Sequence, residues 1–438
     1  MKSLILSLIV AALFATHPPY LEETPWRDAS SPRIEAVRRQ VQSGEKDAAA
    51  KFWDEMKVRG TPLIEQIPDD QQHVLVTFLY RAETPVKGIV LMGQLYVHDN
   101  RDDSLRLLNN LPDTNIWYKT YWIRSDMRFT YSLVPNPTAQ SLAYNSELQL
   151  QDPLNSKYVT PGTNVGKSLV ELPAAPSQPW ILFNPAVPKG KIEEVEIKSK
   201  VLSSQRRFWI YTPAGYDLKR AAPYPMLVCF DGWVYSHPEF VPTPTILDNL
   251  IAGGKIPPMI AVFIDQAQQP QRNIELTNNQ SFLDFVANEL LPKVRQSWRA
   301  TSNPATTIVC GSSSGGLASA FFAFSRPDIF GNVLSQSGAF WPGKEHNDPD
   351  HEWLTRQFQS TPKVAVRFVL QVGVLETGGP TPLNGPSILK TNRHLRDVLR
   401  AQGYEVQYEE IAGGHESISW RGGIAEGLIY LLNTRPSL

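Results

Sequence analysis

Cysteine is scarce in this chain of 438 residues, where Cys229 and Cys310 are the only two. A disulfide-stapled scaffold is thereby excluded. Two thiols on apolar strands read first as small buried hydrophobes, with one bridge in an oxidising compartment as the alternative. Charge of one sign is lacking as well. Forty-two Lys and Arg face 43 Asp and Glu, a net charge of −1, which leaves no electrostatic footprint for nucleic acid or another polyanion. No Gly-rich phosphate loop, zinc-ligand spacing, internal repeat or low-complexity stretch occurs. The cluster Glu345-His346-Asn347-Asp348-Pro349-Asp350-His351-Glu352 could ligate a metal. Its proline and mixed charges read instead as a solvated loop lying as a lid over a site, so no metal site is expected.

Long hydrophobic runs are missing too. The stretch from Leu4 to Phe14 follows Lys2 and ends in Ala15-Thr16-His17-Pro18-Pro19. It is too short to cross a bilayer, and no stable membrane span is expected. A basic start, a short apolar core and small residues before a break are the layout of a signal peptide over residues 1–19. That predicts export, to the periplasm or beyond the cell; a cytoplasmic location is the alternative if the run is not a signal.

What is present is ordinary for a folded protein of more than one domain: 42% hydrophobic and 19% charged residues. Thirty-six prolines imply many loops, and 11 tryptophans imply aromatic-walled surfaces or a large core. Residues 20–134 read as an N-terminal helix and β-sandwich. Helical spacing covers Ala36–Arg59, and strand-like runs follow at Val74–Tyr80, Gly88–Met92, Ile116–Trp122 and Arg128–Leu133. Residues 135–190 recur in proline and read as an irregular connector.

From 191 to 438 strands and helices alternate. Strands are expected at Phe208–Tyr211, Met226–Phe230, Ile260–Ile264, Thr307–Cys310, Asn332–Ser335, Arg367–Val372 and Val406–Ile411. Helices are expected at Ser281–Trp298, Leu317–Ser325, Ile388–Ala401 and Ile424–Leu432. Such alternation predicts an α/β doubly wound sheet with its chemistry at the carboxyl ends of the strands.

One segment carries that chemistry. In Thr307-Ile308-Val309-Cys310-Gly311-Ser312-Ser313-Ser314-Gly315-Gly316 a β-branched run enters a Gly-x-Ser-x-Gly, and a helix former leaves it. This strand, sharp turn and helix present a nucleophilic serine, Ser313. A serine hydroxyl needs a base, and His415 stands on a Gly413-Gly414 loop after the last strand, where the order serine, acid, histidine places it. Glu376, at the end of the run Arg367–Leu375, is expected as the acid that orients the histidine; a solvated loop carboxylate, or a dyad without an acid, are the alternatives. The oxyanion needs two backbone N–H donors, expected from Ser314 and from Trp233, with Gly232 the neighbouring choice. Asp231 reads as structural.

Beyond that pattern the wording is specific. Val333-Leu334-Ser335-Gln336-Ser337-Gly338 with Phe340-Trp341, and Gly413-Gly414-His415-Glu416-Ser417-Ile418-Ser419-Trp420-Arg421-Gly422-Gly423, resemble the enterochelin (ferric enterobactin) esterase family. So do Arg272-Asn273-Ile274-Glu275-Leu276, Leu111-Pro112-Asp113-Thr114-Asn115-Ile116-Trp117 and Asp152-Pro153-Leu154-Asn155. The likeness spans roughly residues 70 to 435 and joins both halves. It implies an immunoglobulin-like domain before an α/β-hydrolase that cleaves ester bonds of a catecholate siderophore trilactone to release iron. Iron would enter only with the substrate, and no cofactor is implied. Ser313, Glu376 and His415 fall on the family's nucleophile, acid and base. Arg272 falls on a basic position that could bind an anionic catecholate. Trp341 and Trp420 are candidate aromatic walls, with core packing open for Trp420. The rival enzyme reading is a feruloyl or acetyl esterase on carbohydrate, or an acyltransferase. The non-catalytic one is a siderophore-binding scaffold, against which the complete catalytic set argues.

Overall fold

The structure, a computed structural model, describes residues 26–95, 106–142, 147–159, 166–265, 269–345, 348, 350–377 and 386–433. The expected leader, residues 1–19, lies outside them, as do three positions of the 345–352 loop.

The N-terminal part opens with strand β1 (Trp26–Asp28), helix α1 (Pro32–Gln42) and helix α2 (Ala48–Arg59). The helical reading of Ala36–Arg59 thus becomes two helices, because the chain turns at Gly44 with φ +87°, a conformation glycine adopts without strain. Ser31 caps α1 by accepting a bond from Ile34 N–H at 3.1 Å. Strands β2 (Leu63–Ile67), β3 (Asp70–Arg81), β4 (Ile89–Gly93), β5 (Asn109–Asn110), β6 (Ile116–Arg124) and β7 (Arg128–Pro135) follow. Two more, β8 (Tyr158–Val159) and β9 (Lys167–Glu171), lie in the segment read as connector. There the structure corrects the boundary at residue 134. Strand β9 pairs with β7 and buries Ser168, Leu169 and Val170, so the sandwich runs to Glu171. Its five residues offered too short a pattern to stand out among the surrounding prolines.

The strands form two antiparallel sheets, ordered β1-β6-β3-β2 with β5 on β6, and β4-β7-β9-β8. Alternate side chains of β3 (Val74, Val76, Phe78) meet Phe129 and Tyr131 of β7 in one core, as the two-residue period of a strand dictates. The opposite face, through Leu63, Leu79 and Ile116, is covered by Ile34, Val37, Phe52 and Trp53 of α1 and α2.

The C-terminal part is an eight-stranded sheet. Strands β10 (Lys191–Ser199) and β11 (Ser204–Thr212) form an antiparallel hairpin at its edge. Strand β12 (Met226–Cys229) leads into helices α3 (Gly232–Ser236) and α4 (Thr243–Ala252), and strand β13 (Ile260–Ile264) into α5 (Gln271–Leu276). Helices α6 (Gln280–Phe285) and α7 (Leu291–Trp298) are joined by a π-wound turn, Val286–Leu290, which precedes Pro292, a residue without an N–H to continue the regular ladder. The rest alternates: β14 (Thr307–Ser312), α8 (Ser314–Ser325), β15 (Asn332–Gln336), α9 (Trp353–Ser360), β16 (Arg367–Gly373), α10 (Ile388–Ala401), β17 (Glu405–Ile411) and α11 (Ser417–Asn433).

The sheet order is β10-β11-β13-β12-β14-β15-β16-β17, with β12 to β17 parallel to one another and β13 antiparallel to β11. Strands β12 to β15 are buried along their whole length because helices cover both faces. This is the α/β-hydrolase arrangement, preceded by a small β-sandwich. Cys229 and Cys310 are free, buried and side by side in the β12–β14 register. Among the described residues no helix is long and apolar enough to cross a membrane.

Candidate active site

Strand β14 ends in the Gly-x-Ser-x-Gly turn. Ser313 sits there at φ 57°, ψ −124°, a region in which a residue with a side chain is strained by about 1–3 kcal/mol. The surroundings hold it. Ser313 N–H donates to Gln336 O at 3.0 Å, and its carbonyl accepts from Ala339 N at 2.9 Å. The flanking glycines are a matter of space. A Cβ on Gly311 would stand 2.7 Å from the Gly315 backbone, and one on Gly316 would meet Ser335 Oγ at 2.6 Å. Only then can α8 start hard against the strand it leaves.

The residues expected as acid and base follow β16 and β17. Beyond β16 the chain turns so that Glu376 is 1% exposed. Its Oε2 lies 2.7 Å from His415 Nδ1, on the loop after β17. Its Oε1 accepts from Ser337 Oγ at 2.6 Å and from Gly373 N–H at 2.8 Å. Burial pushes this carboxyl up, but the facing imidazole and these donors outweigh it and hold the group below its ordinary value. Trp420 Nε1 donates to Ser337 Oγ at 2.9 Å, and its ring stands edge-on to His415 with centroids 5.2 Å apart. The structure thus brings Glu376, His415 and Trp420 into one bonded set. Ser337 completes that set, and Ser313 is tied to the residue before it by its N–H bond to Gln336 O at 3.0 Å.

Ser314 and Trp233 occupy the first turns of α8 and α3, where backbone N–H groups have no partner four residues earlier. Asp231 packs close to the same turn, since a Cβ on Gly315 would lie 3.3 Å from Asp231 Oδ2. The Trp233 side chain is 38% exposed and clusters with His237 and Phe240, ring centroids 5.1 and 5.0 Å away.

The residues expected to touch substrate divide. Arg272 is not an open cation. Its Nε and Nη2 hold Asp231 at 2.6 and 2.5 Å, and Nη1 reaches Asn273. Burial lowers this guanidinium, but Asp231 outweighs that and raises it. Trp341 is 9% exposed and packs with Ala339, Val372, Ile388 and Leu389, the environment of a core residue rather than a substrate wall. Trp420 is half-buried and spends its one donor on Ser337. The exposed aromatic face belongs to Trp233, which sequence reasoning chose only for its backbone. Nothing local in the sequence marks Ser337 for its part in this set. Gln94, whose Oε1 accepts from His415 N–H at 2.9 Å, stands 321 positions away in sequence.

Both halves match known families. Residues 199–431 match the putative esterase family, and residues 75–181 match the enterochelin esterase N-terminal domain. An iron(III) enterobactin esterase of Dickeya dadantii is 30% identical over 420 residues, covering 87% of this chain and 92% of its own. An iron(III) salmochelin esterase of Escherichia coli is 26% identical, covering 90% and 96%. Among solved structures, ferric enterobactin esterase from Salmonella typhimurium aligns with a TM-score of 0.71 at 25% identity, over 86% of this chain and 98% of its own. The enterobactin esterase of Shigella flexneri, crystallised in the presence of enterobactin, aligns with a TM-score of 0.67 at 26% identity, over 85% and 96%. A carboxylate and a histidine joined beside a strained serine, on a sandwich and hydrolase that match together, place the chain in the enterochelin esterase family of carboxylic ester hydrolases.

Proposed function

We propose that this protein hydrolyses the ester bonds of a catecholate siderophore trilactone through a Ser313 acyl-enzyme. The observation that carries the reading is the Glu376–His415 pair at 2.7 Å, set behind an elbow serine in a chain whose sandwich and hydrolase parts both match this family. His415 Nδ1 is engaged by Glu376, so Nε2 is the nitrogen that serves Ser313. As Ser313 Oγ attacks an ester carbonyl, His415 takes its proton, and Glu376 balances the imidazolium. The oxyanion is placed toward the Ser314 and Trp233 N–H groups. The ester C–O bond then breaks, and the departing serine hydroxyl of the ring receives the proton from His415. Water repeats both steps on the acyl-enzyme and returns Ser313. Iron belongs to the substrate, not to the enzyme, and no cofactor takes part. The run at residues 1–19 is a cleaved leader in this reading, and the protein works in the periplasm or outside the cell.

The test is to incubate the purified protein with ferric and iron-free enterobactin, beside Ser313→Ala, and to follow ring opening by chromatography. Serine-dependent formation of linear or monomeric dihydroxybenzoylserine is the expected result. Cleavage of a simple aryl ester without any ring opening would redirect the substrate to acylated sugars. Intact mass of the protein recovered from a periplasmic extract tests the leader; retention of residues 1–19 in a cytoplasmic fraction would refute it.

A further inference from the structure

The loops that carry the acid and the base do not rest on the hydrolase alone. Val374 and Leu375, immediately before Glu376, are members of the sandwich's own hydrophobic core, packed with residues such as Phe129 and Leu91. The loop of His415 is bonded to the sandwich on both sides of the histidine. Arg128 N–H donates to Ala412 O at 2.9 Å. His415 N–H donates to Gln94 Oε1 at 2.9 Å. Thr130 donates twice to the Glu416 carboxylate, from its N–H at 3.0 Å and from Oγ1 at 2.5 Å. There is no slack between the parts, because a Cβ on Gly414 would meet Gln94 Oε1 at 2.7 Å and one on Gly413 would meet Arg128 O at 3.0 Å.

We infer that the N-terminal sandwich is part of the catalytic apparatus, with Gln94 and Thr130 acting as positioning residues that set the place of His415 relative to Glu376 and Ser313. The inference rests on the reading of those three as base, acid and nucleophile. A Gly-Gly loop has little conformational preference of its own, so the bonds at Ala412, His415 and Glu416 are what hold the imidazole. A base displaced by an ångström loses proton transfer before it loses substrate binding. The sandwich therefore acts on kcat, whichever ester is bound.

The experiment uses the full chain and p-nitrophenyl acetate, so that it does not depend on the trilactone. Gln94→Met removes the acceptor for His415 N–H, and Gln94→Glu restores one. Thr130→Ala removes only the hydroxyl, and Thr130→Ser restores it. Each loss is expected to lower kcat about tenfold, with KM unchanged within about twofold, and each conservative variant is expected to recover most of it. Wild-type kcat in both folded loss variants would overturn the proposal. If Gln94→Met does not fold, Thr130→Ala carries the same comparison by itself. A Ser313→Ala control that retains activity would instead show that the assignment of the nucleophile is wrong, an outcome separate from failure of the positioning role.

Discussion

Trp420 Nε1 and Ser337 Oγ lie 2.9 Å apart, and that bond decides where the serine's own proton goes. Ser337 Oγ accepts from the indole and donates its own hydrogen to Glu376 Oε1, 2.6 Å away, so the indole bond fixes the hydroxyl that serves the carboxylate. Trp420→Phe keeps the ring beside His415 and deletes only the donor. One neutral hydrogen bond contributes about 0.5–1.5 kcal/mol, so a threefold to tenfold fall in kcat is expected, roughly that energy converted. Substrate affinity should be unaffected. A larger loss in KM than in kcat would make Trp420 a substrate wall after all.

Glu376 has a heavier duty, because it is fully buried and its charge faces the imidazole. Glu376→Gln retains the shape, but an amide NH2 turned toward Nδ1 would force the wrong imidazole tautomer. A fall in kcat of about 10³–10⁴ is expected, as in other serine hydrolases with a buried acid. Steady-state kinetics on a simple ester will check it. Near-wild-type turnover would mean that Ser313 and His415 work as a dyad.

The Arg272–Asp231 pair is a tie across the base of the loop between β12 and α3, with side chains 16% and 4% exposed. Removing one charge strands the other in a buried place. Asp231→Asn should therefore lower unfolding stability by about 3–5 kcal/mol, read from denaturant titration. Because Asp231 precedes α3, and Gly232 has Phe263 backbone within 2.5 Å of a hypothetical Cβ, the loss should also blunt kcat. If Asp231→Asn were as stable as wild type and bound catecholate more tightly, the released Arg272 would be a substrate cation.

Much of this was legible in the sequence, for a local reason. The elbow is written in ten consecutive residues, since a β-branched strand, a strained serine and flanking glycines each leave a residue type behind. The strands β12 to β14 showed as apolar runs because helices bury them on both faces. Strand β10, Lys-Ile-Glu-Glu-Val-Glu-Ile-Lys-Ser, did not show, because an edge strand with charges on most positions mimics a loop. The rest of the site was illegible because its determinants are distant in sequence. Nothing near Gln94 marks it as the acceptor of His415 N–H, and nothing near Arg272 says that its partner is Asp231, 41 positions earlier. An arginine on a helix beside a site reads the same whether it is free or tied, and only the fold separates the two.

Glu416 sets the last expectation, through pH. Its half-buried side chain lies between the hydrolase loop and the sandwich, the carboxyl bonded to Thr130. Burial pushes it up to about 7, against the bonds from Thr130 and the charges of Lys167 and Arg421. Lys167, half-buried beside it, is driven down by the same desolvation. The unfolded carboxyl titrates near about 4.3. A folded value above the unfolded one means that this group favours the fold fully below about pH 4.3. The favour is then lost as pH rises through about 7, on the order of 3 kcal/mol across the window. Glu416→Gln keeps an acceptor for Thr130 N–H and cannot ionise. The wild type should match this variant in melting temperature near pH 5 and fall below it progressively toward pH 8. Parallel curves over that range would show that Glu416 does not titrate there, and that its clasp on Thr130 is equally strong at every working pH.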